Sequence, residues 1–367
     1  MTALLFWIRY LIRMAAHIAI PFRAGVADRL CHYEKERPWM PEQGLRKFVD
    51  EAIEGQGLEV EGDEIREFLG FWLERQALAG IRKVLIEFSF TTNAPGFGMM
   101  LYGNLRTESA AFAEYCERIG IYNRSARMCL AIVDTFSPST LCMIRAEFKP
   151  KSPSRYSIAG SWYFDVFRGR TGFVDCMKRL AMDDDARGLA GGVTAISEAL
   201  GQDYYPLFFG LSFLGDGKLE AKMYWVRFDP GQSPLKAGSS LWRFLEQLEM
   251  PATEMERVQR TNDLFWANSR DGMTQVAVEF SEGQTRANRV NLIYSGTKLS
   301  AVRSAMEELG MGDAALESVE RFERTMHTDV AKFTAVRVGP QGISSRLKLY
   351  GHAFFDTGNW RSAARSD

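Results

Sequence analysis

The sequence predicts an α+β protein made of five consecutive β-hairpins, each flanked by helical segments. Three observations carry this expectation. Apolar and polar residues alternate over short runs, the period-two signature of strands with one face buried. The runs come in pairs joined by short turns rich in Gly, Asp and Pro. Between the pairs lie stretches of about a dozen residues whose apolar positions keep helical spacing. Five such αββα units supply about ten antiparallel strands, and what repeats is architecture, with little shared sequence.

Residues 1–80 are expected to be mostly helical and to pack on the remainder, 81–367. Met1 to Ile20 is apolar but is interrupted by Arg9 and Arg13, and His17 follows. It therefore lacks the uninterrupted span of about 20 apolar residues that a membrane helix needs. It also lacks the small-residue cleavage site of a signal peptide. An amphipathic helix docked on the body fits it best, with interfacial membrane attachment as the alternative. Pro41-Glu42 opens a further helical segment. Gly62-Asp63 precedes a helix from Glu64 to Ala79, where Ile65, Phe68, Leu69, Trp72 and Leu73 share a face.

The first hairpin runs from Val84 to Phe90, turns through Thr91 to Gly96, and returns over Phe97 to Leu105 before a helix at Ser109 to Ile119. The second is assigned to Cys129–Phe136 and Leu141–Phe148, although Ser157 to Val166 is also strand-like. The third comprises Leu207 to Leu214, the turn Gly215-Asp216-Gly217 and Lys218 to Phe228, with a helix at Ser239 to Leu248. Thr274–Phe280 and Arg289–Tyr294 form the fourth, followed by the helix Leu299–Leu309. The fifth uses Phe333–Val338, the turn Gly339 to Gly342, and Ser344–Gly351.

Charge and cysteine content narrow the function. The 45 Lys+Arg and 46 Asp+Glu leave a formal charge of −1, without the basic excess of nucleic-acid binders. Five cysteines are odd in number, spread along the chain and never spaced CxxC, so neither a disulfide framework nor a thiolate zinc site is indicated. A reducing, cytoplasmic setting and a monomer or homodimer are expected.

The two faces of each strand differ in kind. In Lys218 to Val226, Leu219, Ala221, Met223 and Trp225 share one face, while Lys218, Glu220, Lys222 and Tyr224 share the other. Arg346, Lys348 and Tyr350 repeat this, and Val84, Ile86, Phe88 and Phe90 alternate with Glu87 and Ser89. Two arrangements satisfy the pattern. An open sheet would carry helices on its apolar face and leave the charged face in water. A closed barrel would turn that face into the lining of a central chamber.

Several chemical motifs fail on spacing. Asp183-Asp184-Asp185 is followed by Arg187 where an aspartate-rich magnesium clamp needs an acid, so it reads as a solvated turn. Gly96-Phe97-Gly98 lacks a third glycine, and GxxxxGK[ST], HExxH and GxSxG are absent. His17, His32, His327 and His352 are scattered, which argues against a metal centre.

What remains is Lys222-Met223-Tyr224, Arg346-Leu347-Lys348-Leu349-Tyr350 and Glu87-Phe88-Ser89. Together with the five hairpins, these resemble the aromatic prenyltransferases of the ABBA fold, particularly the dimethylallyltryptophan synthase branch. Leu130 to Asp134 and Ser161-Trp162-Tyr163-Phe164 are similar to stretches of the bacterial aminocoumarin-type branch. The resemblance implies a closed ten-stranded antiparallel β-barrel surrounded by α-helices. Inside it, an isoprenyl group passes from an allylic diphosphate, dimethylallyl diphosphate favoured, to an indole, tryptophan derivative or phenol by electrophilic aromatic substitution.

By the same resemblance, Lys222, Arg346 and Lys348 bind diphosphate, with Arg106 and Arg289 as further candidates. Tyr163, Tyr224, Tyr294 and Tyr350 shield the allylic cation, and Glu87 accepts a hydrogen bond from the acceptor N–H. Lys149 and Arg145 are candidates for the family's catalytic cation. Magnesium is expected only as a companion of the diphosphate, with no obligatory cofactor. The sequence departs from the family at Ser161-Trp162-Tyr163, where Lys-x-Tyr is usual, and at Leu292-Ile293-Tyr294, where Gln-x-Tyr is usual; Glu-Phe-Ser also recurs at Glu279-Phe280-Ser281. The alternative from another class is a non-catalytic barrel or α+β protein that binds a hydrophobic ligand or partner.

Overall fold

The computed structural model describes residues 44–78, 83–92, 96–131, 141–161, 169–184, 187–214, 219–227, 233–270, 272–281 and 289–356. Ten strands form one sheet: β1 (Lys83–Thr91), β2 (Phe97–Asn104), β3 (Leu141–Lys149), β4 (Ser152–Ser161), β5 (Tyr204–Leu214), β6 (Leu219–Arg227), β7 (Met273–Ser281), β8 (Arg289–Lys298), β9 (Val330–Gly339) and β10 (Gly342–Asp356). Each pairs antiparallel with its chain neighbour, and β10 returns to β1, so the sheet closes into a barrel. The closing seam runs from Lys83 opposite Asp356 to Thr91 opposite Lys348. Closure leaves none of these ten strands at an open sheet edge.

Helices α1 (Leu45–Gln56) and α2 (Gly62–Leu78) precede the barrel. Pairs of helices then separate the hairpins: α3 (Leu105–Arg118) and α4 (Arg124–Ala131), α5 (Gly169–Ala181) and α6 (Arg187–Leu200), α7 (Ser240–Glu246) and α8 (Ala252–Asn268), α9 (Leu299–Glu308) and α10 (Asp313–Met326). Their apolar stripes cover the outside of the barrel. On α10 the buried Ala315, Val319, Phe322 and Met326 lie three to four residues apart, and Phe322 meets Phe90 edge-on at 5.3 Å between ring centroids. On α1 Phe48 lies 4.6 Å from Phe88, which stacks on Phe97 at 5.4 Å.

The hydrophobic core is therefore a shell between sheet and helices, which takes Val84, Ile86, Phe88 and Phe90 from β1 and Ala221, Met223 and Trp225 from β6. With one face of every strand committed to that shell, period two sends the other face into the lumen. The closed barrel, not the open sheet, is what the charged face lines.

The second hairpin differs from the expectation. It is β3 paired with β4, and Cys129 belongs to the end of α4, not to a strand. A short apolar run has no periodicity to separate helix from strand, and here its first three residues, Cys129 to Ala131, complete helix α4, while 132–136 lie outside the described residues. The return strand of the first hairpin ends at Asn104 and helix α3 follows directly, which places Arg106 in a helix. Met1 to Ile20, Pro41-Glu42, the turn Gly215-Asp216-Gly217 and Tyr163 lie outside the described residues. Among the described residues no helix is long and apolar enough to cross a membrane.

Candidate functional site

A cavity of about 120 Å³ opens within the barrel. Eight cationic side chains line it, Arg145 and Lys149 from β3, Arg155 from β4, Lys222 from β6, Arg289 from β8, Arg337 from β9, and Arg346 and Lys348 from β10. Three carboxylates, Glu147, Glu220 and Glu279, stand among them. The charge excess of the chamber is strongly positive although the chain as a whole is nearly neutral.

Two of the carboxylates act as hubs. Glu279 meets Lys222 at 3.1 Å and Arg337 at 3.2 Å, and accepts from Asn291 Nδ2 at 3.3 Å. Burial works to raise its carboxyl, but Lys222 and Arg337 hold it far below the usual carboxylate range. Glu147 bridges Arg145 and Lys348 in the same way and is likewise held well below its ordinary value against the effect of burial. At the rim, Arg155 pairs with Glu220 at 2.7 Å.

The two lysines respond differently. Burial works to lower Lys222, yet Tyr224, Glu279 and Tyr350 raise it above the normal lysine range. For Lys348, burial and then the positive charge of Arg145 win over Glu147, and its ammonium is lowered to about 7.

One step further along the same strands lies an aromatic layer. The ammonium of Lys222 sits 5.1 Å from the ring centre of Tyr224, and that of Lys348 sits 5.9 Å from Tyr350. Tyr224 and Phe333 pack on a lumenal cluster of Ala277, Ile293, Ala335 and Tyr350, and Phe208 meets Tyr224 edge-on at 6.2 Å. Burial pushes the Tyr350 phenol up to about 12, against the pull of Lys222 and Arg145, so it stays neutral across the physiological range.

Beyond the aromatic layer, Glu87 and His352 face each other across the closing seam, with Glu87 Oε2 2.5 Å from His352 Nε2. Both are buried. Ser89 follows on the same face of β1, opposite Gly98 of β2. A Cβ at Gly98 would stand 2.4 Å from Ser89 Oγ, so glycine there is what leaves the serine room.

Of the residues expected from the sequence, the barrel brings Lys222, Lys348, Arg289 and Arg346 to one chamber, with Arg289 and Arg346 at its exposed end. Arg145 and Lys149 line it as well. Tyr224 and Tyr350 are lumenal, and Glu87 lies deeper on β1. Arg106 falls in the first turn of α3, outside the sheet.

Tyr294 is corrected. It shares the outward face of β8 with Val290 and Leu292, packs 5.2 Å from Phe265 of α8, and donates to Asn262 Oδ1 at 3.0 Å. Burial holds its phenol well above the ordinary range, yet it takes no part in the chamber. Tyr294→Phe is accordingly expected to cost about 1–2 kcal/mol of stability, from loss of the Asn262 hydrogen bond. Any turnover in the chamber should stay within about twofold of wild type, because Tyr294 faces away from it. A thermal melt beside a kinetic assay checks both halves.

The sequence reading omitted His352, Arg155, Arg337 and the carboxylates Glu147, Glu220 and Glu279 as site residues. Three of them extend a period-two face that already held a named residue: His352 follows Arg346, Lys348 and Tyr350, Glu147 follows Arg145, and Glu220 precedes Lys222 and Tyr224. Arg155, Glu279 and Arg337 are placed by the register of β4, β7 and β9 with their neighbours. The Asp183-Asp184 run is a surface feature, paired with Arg124 and Arg187. Among the described residues no group of three or more His, Cys, Asp or Glu is placed to hold a metal ion.

No protein-family model matches the sequence, and no curated protein matches it. Solved structures do match the fold. An apo form of the prenyltransferase PriB aligns with TM-score 0.56 at 13% identity over 85% of this chain and 95% of that one. The 5-dimethylallyl tryptophan synthase from Streptomyces coelicolor, solved in complex with DMASPP and Trp, aligns at 0.54 and 15% identity over 85% and 94%. The 6-dimethylallyltryptophan synthase from Micromonospora olivasterospora, also with DMASPP and Trp, aligns at 0.52 and 13% over 76% and 82%. The chain thus has the fold of these prenyltransferases, the closed ten-stranded ABBA barrel.

Proposed function

We propose that this protein is an aromatic prenyltransferase, moving an isoprenyl group from an allylic diphosphate to an indole, a tryptophan derivative or a phenol. The observation that carries this reading is the excess of cations, eight against three carboxylates, in one chamber of the barrel, directly beside a layer of tyrosines. A polyanion with an apolar tail suits that order of layers.

The diphosphate would sit among Lys222, Lys348, Arg145, Arg337 and the rim residues Arg289 and Arg346. Charge-assisted hydrogen bonds to its oxygens stabilise the negative charge that develops as the allylic C–O bond breaks. The C5 group then lies against Tyr224 and Tyr350. Their π faces attract the allylic cation, and the buried setting keeps out water that would quench it. Glu87 accepts a hydrogen bond from the acceptor N–H or O–H and turns the ring toward the cation. The ring carbon attacks, and loss of its proton restores aromaticity. Dimethylallyl diphosphate is the favoured donor, and magnesium, where present, enters as a companion of the diphosphate.

Incubation with dimethylallyl, geranyl and farnesyl diphosphates against indoles and phenols tests the reading, with diphosphate release and product mass as readouts. Turnover with at least one pair is expected. Silence with every donor would leave a non-catalytic barrel that binds a hydrophobic ligand.

A further inference from the structure

Glu87 and His352 are 265 positions apart in sequence, and only the pairing of the first strand with the last brings them together. Their side chains are 4% and 8% exposed. A buried carboxyl group is costly unless it is hydrogen-bonded, and the 2.5 Å contact to His352 supplies a partner. The imidazole is itself placed by packing, since Phe333 lies edge-on to it at 6.2 Å. Two residues along β1, on the same face, the buried Ser89 Oγ has no hydrogen-bond partner.

We infer that His352 is a positioning residue for the aromatic acceptor, holding the Glu87 carboxylate so that it presents a fixed lone pair to the acceptor N–H or O–H. The inference rests on the prenyl-transfer reading and on Glu87 as the acceptor anchor. An ionised carboxylate can only accept hydrogen bonds, so a carboxylate fixed in this way selects acceptors that carry a donor hydrogen. It also sets which ring carbon meets the allylic cation, because a displacement of about 1 Å at a reacting centre costs about 100-fold. A pair that only fastened the barrel seam would affect stability and leave acceptor choice unchanged.

The experiment uses the full chain loaded with dimethylallyl thiolodiphosphate, a donor analogue, and titrates tryptophan by calorimetry into wild type, His352→Ala and His352→Asn. In His352→Ala the analogue should bind within about twofold of wild type while tryptophan weakens about tenfold or more. With dimethylallyl diphosphate itself, the ratio of prenylated regioisomers should shift. Asparagine keeps an N–H donor and should recover most of both effects. Tryptophan affinity and regioisomer ratio that ignore His352, or equal weakening of analogue and tryptophan, would overturn the inference. Wild-type protein that binds no donor analogue would instead sink the prenyl-transfer reading underneath it.

Discussion

Replacing Lys222 and Lys348 together with alanine is expected to reduce the proposed prenyl transfer by at least about 1000-fold while the barrel still folds. Each ammonium stands in the chamber where the leaving diphosphate would gather its charge. Truncating one partner of a buried, hydrogen-bonded charge pair costs about 2–5 kcal/mol, or roughly 30- to several thousand-fold for each lysine. The two losses need not add, because both cations would share one diphosphate. The fold tolerates the change for a geometric reason. Glu279 keeps Arg337 and Asn291, and Glu147 keeps Arg145, so neither carboxylate is orphaned. Destabilisation should therefore fall below the 3–5 kcal/mol typical of breaking a buried pair outright. Donor kcat/KM beside a thermal melt separates the two effects. Turnover within about tenfold of wild type would remove the diphosphate from this chamber.

The part of this architecture that could be read from the sequence is the part written in local period. Leu219–Arg227 shows both of its faces in nine residues, and β10 repeats the code from Arg346 onward. Period two puts Lys222, Tyr224, Lys348 and Tyr350 on the polar faces of their strands, and closure of the barrel turns those faces to the lumen. Tyr294 was lost by matching a short motif where the alternation spoke against it: Val290, Leu292 and Tyr294 share a face, and the first two are core residues. The second hairpin failed for a different reason. Cys129 to Phe136 is apolar and β-branched in part, and such a run has no period to tell strand from helix. The Glu87–His352 contact was illegible in principle, because it depends on how the barrel closes. Nothing local fixes the register between two strands at opposite ends of a chain. The carboxylate hubs lie between these extremes: Glu147 and Glu279 were visible as lumen-facing, but their partners come from β10 and β9.

If the donor binds in this chamber as proposed, Lys348 is expected to make that binding pH-dependent, with its contribution to the affinity for inorganic diphosphate level below about pH 7 and falling by up to tenfold per pH unit above it. The sign follows from its surroundings. Burial and Arg145, with Lys222 beyond, lower the ammonium to about 7 in the unliganded chamber, and Glu147 offsets this only in part. A bound diphosphate adds negative charge beside the nitrogen and raises that value, so binding takes up a proton wherever the free lysine has lost one. The facing groups do not compete in this window. Glu147 and Glu279 are held below the carboxylate range, Arg145 and Lys222 are held above their usual values, and Tyr350 lies near 12. Stability moves the opposite way. An unfolded lysine titrates near 10.4, so between about pH 7 and 10 the unfolded chain binds a proton at this position that the folded chain does not. Lys348 therefore opposes folding fully below pH 7, and that cost fades as pH rises toward the unfolded value. Calorimetric titration of diphosphate in buffers of different ionisation enthalpy should show proton uptake at pH 8 that is absent at pH 6. Lys348→Arg, which stays charged throughout, should remove the difference and leave only the ligand's own titration. The same uptake in wild type and Lys348→Arg would assign the proton to another group and separate Lys348 from donor binding.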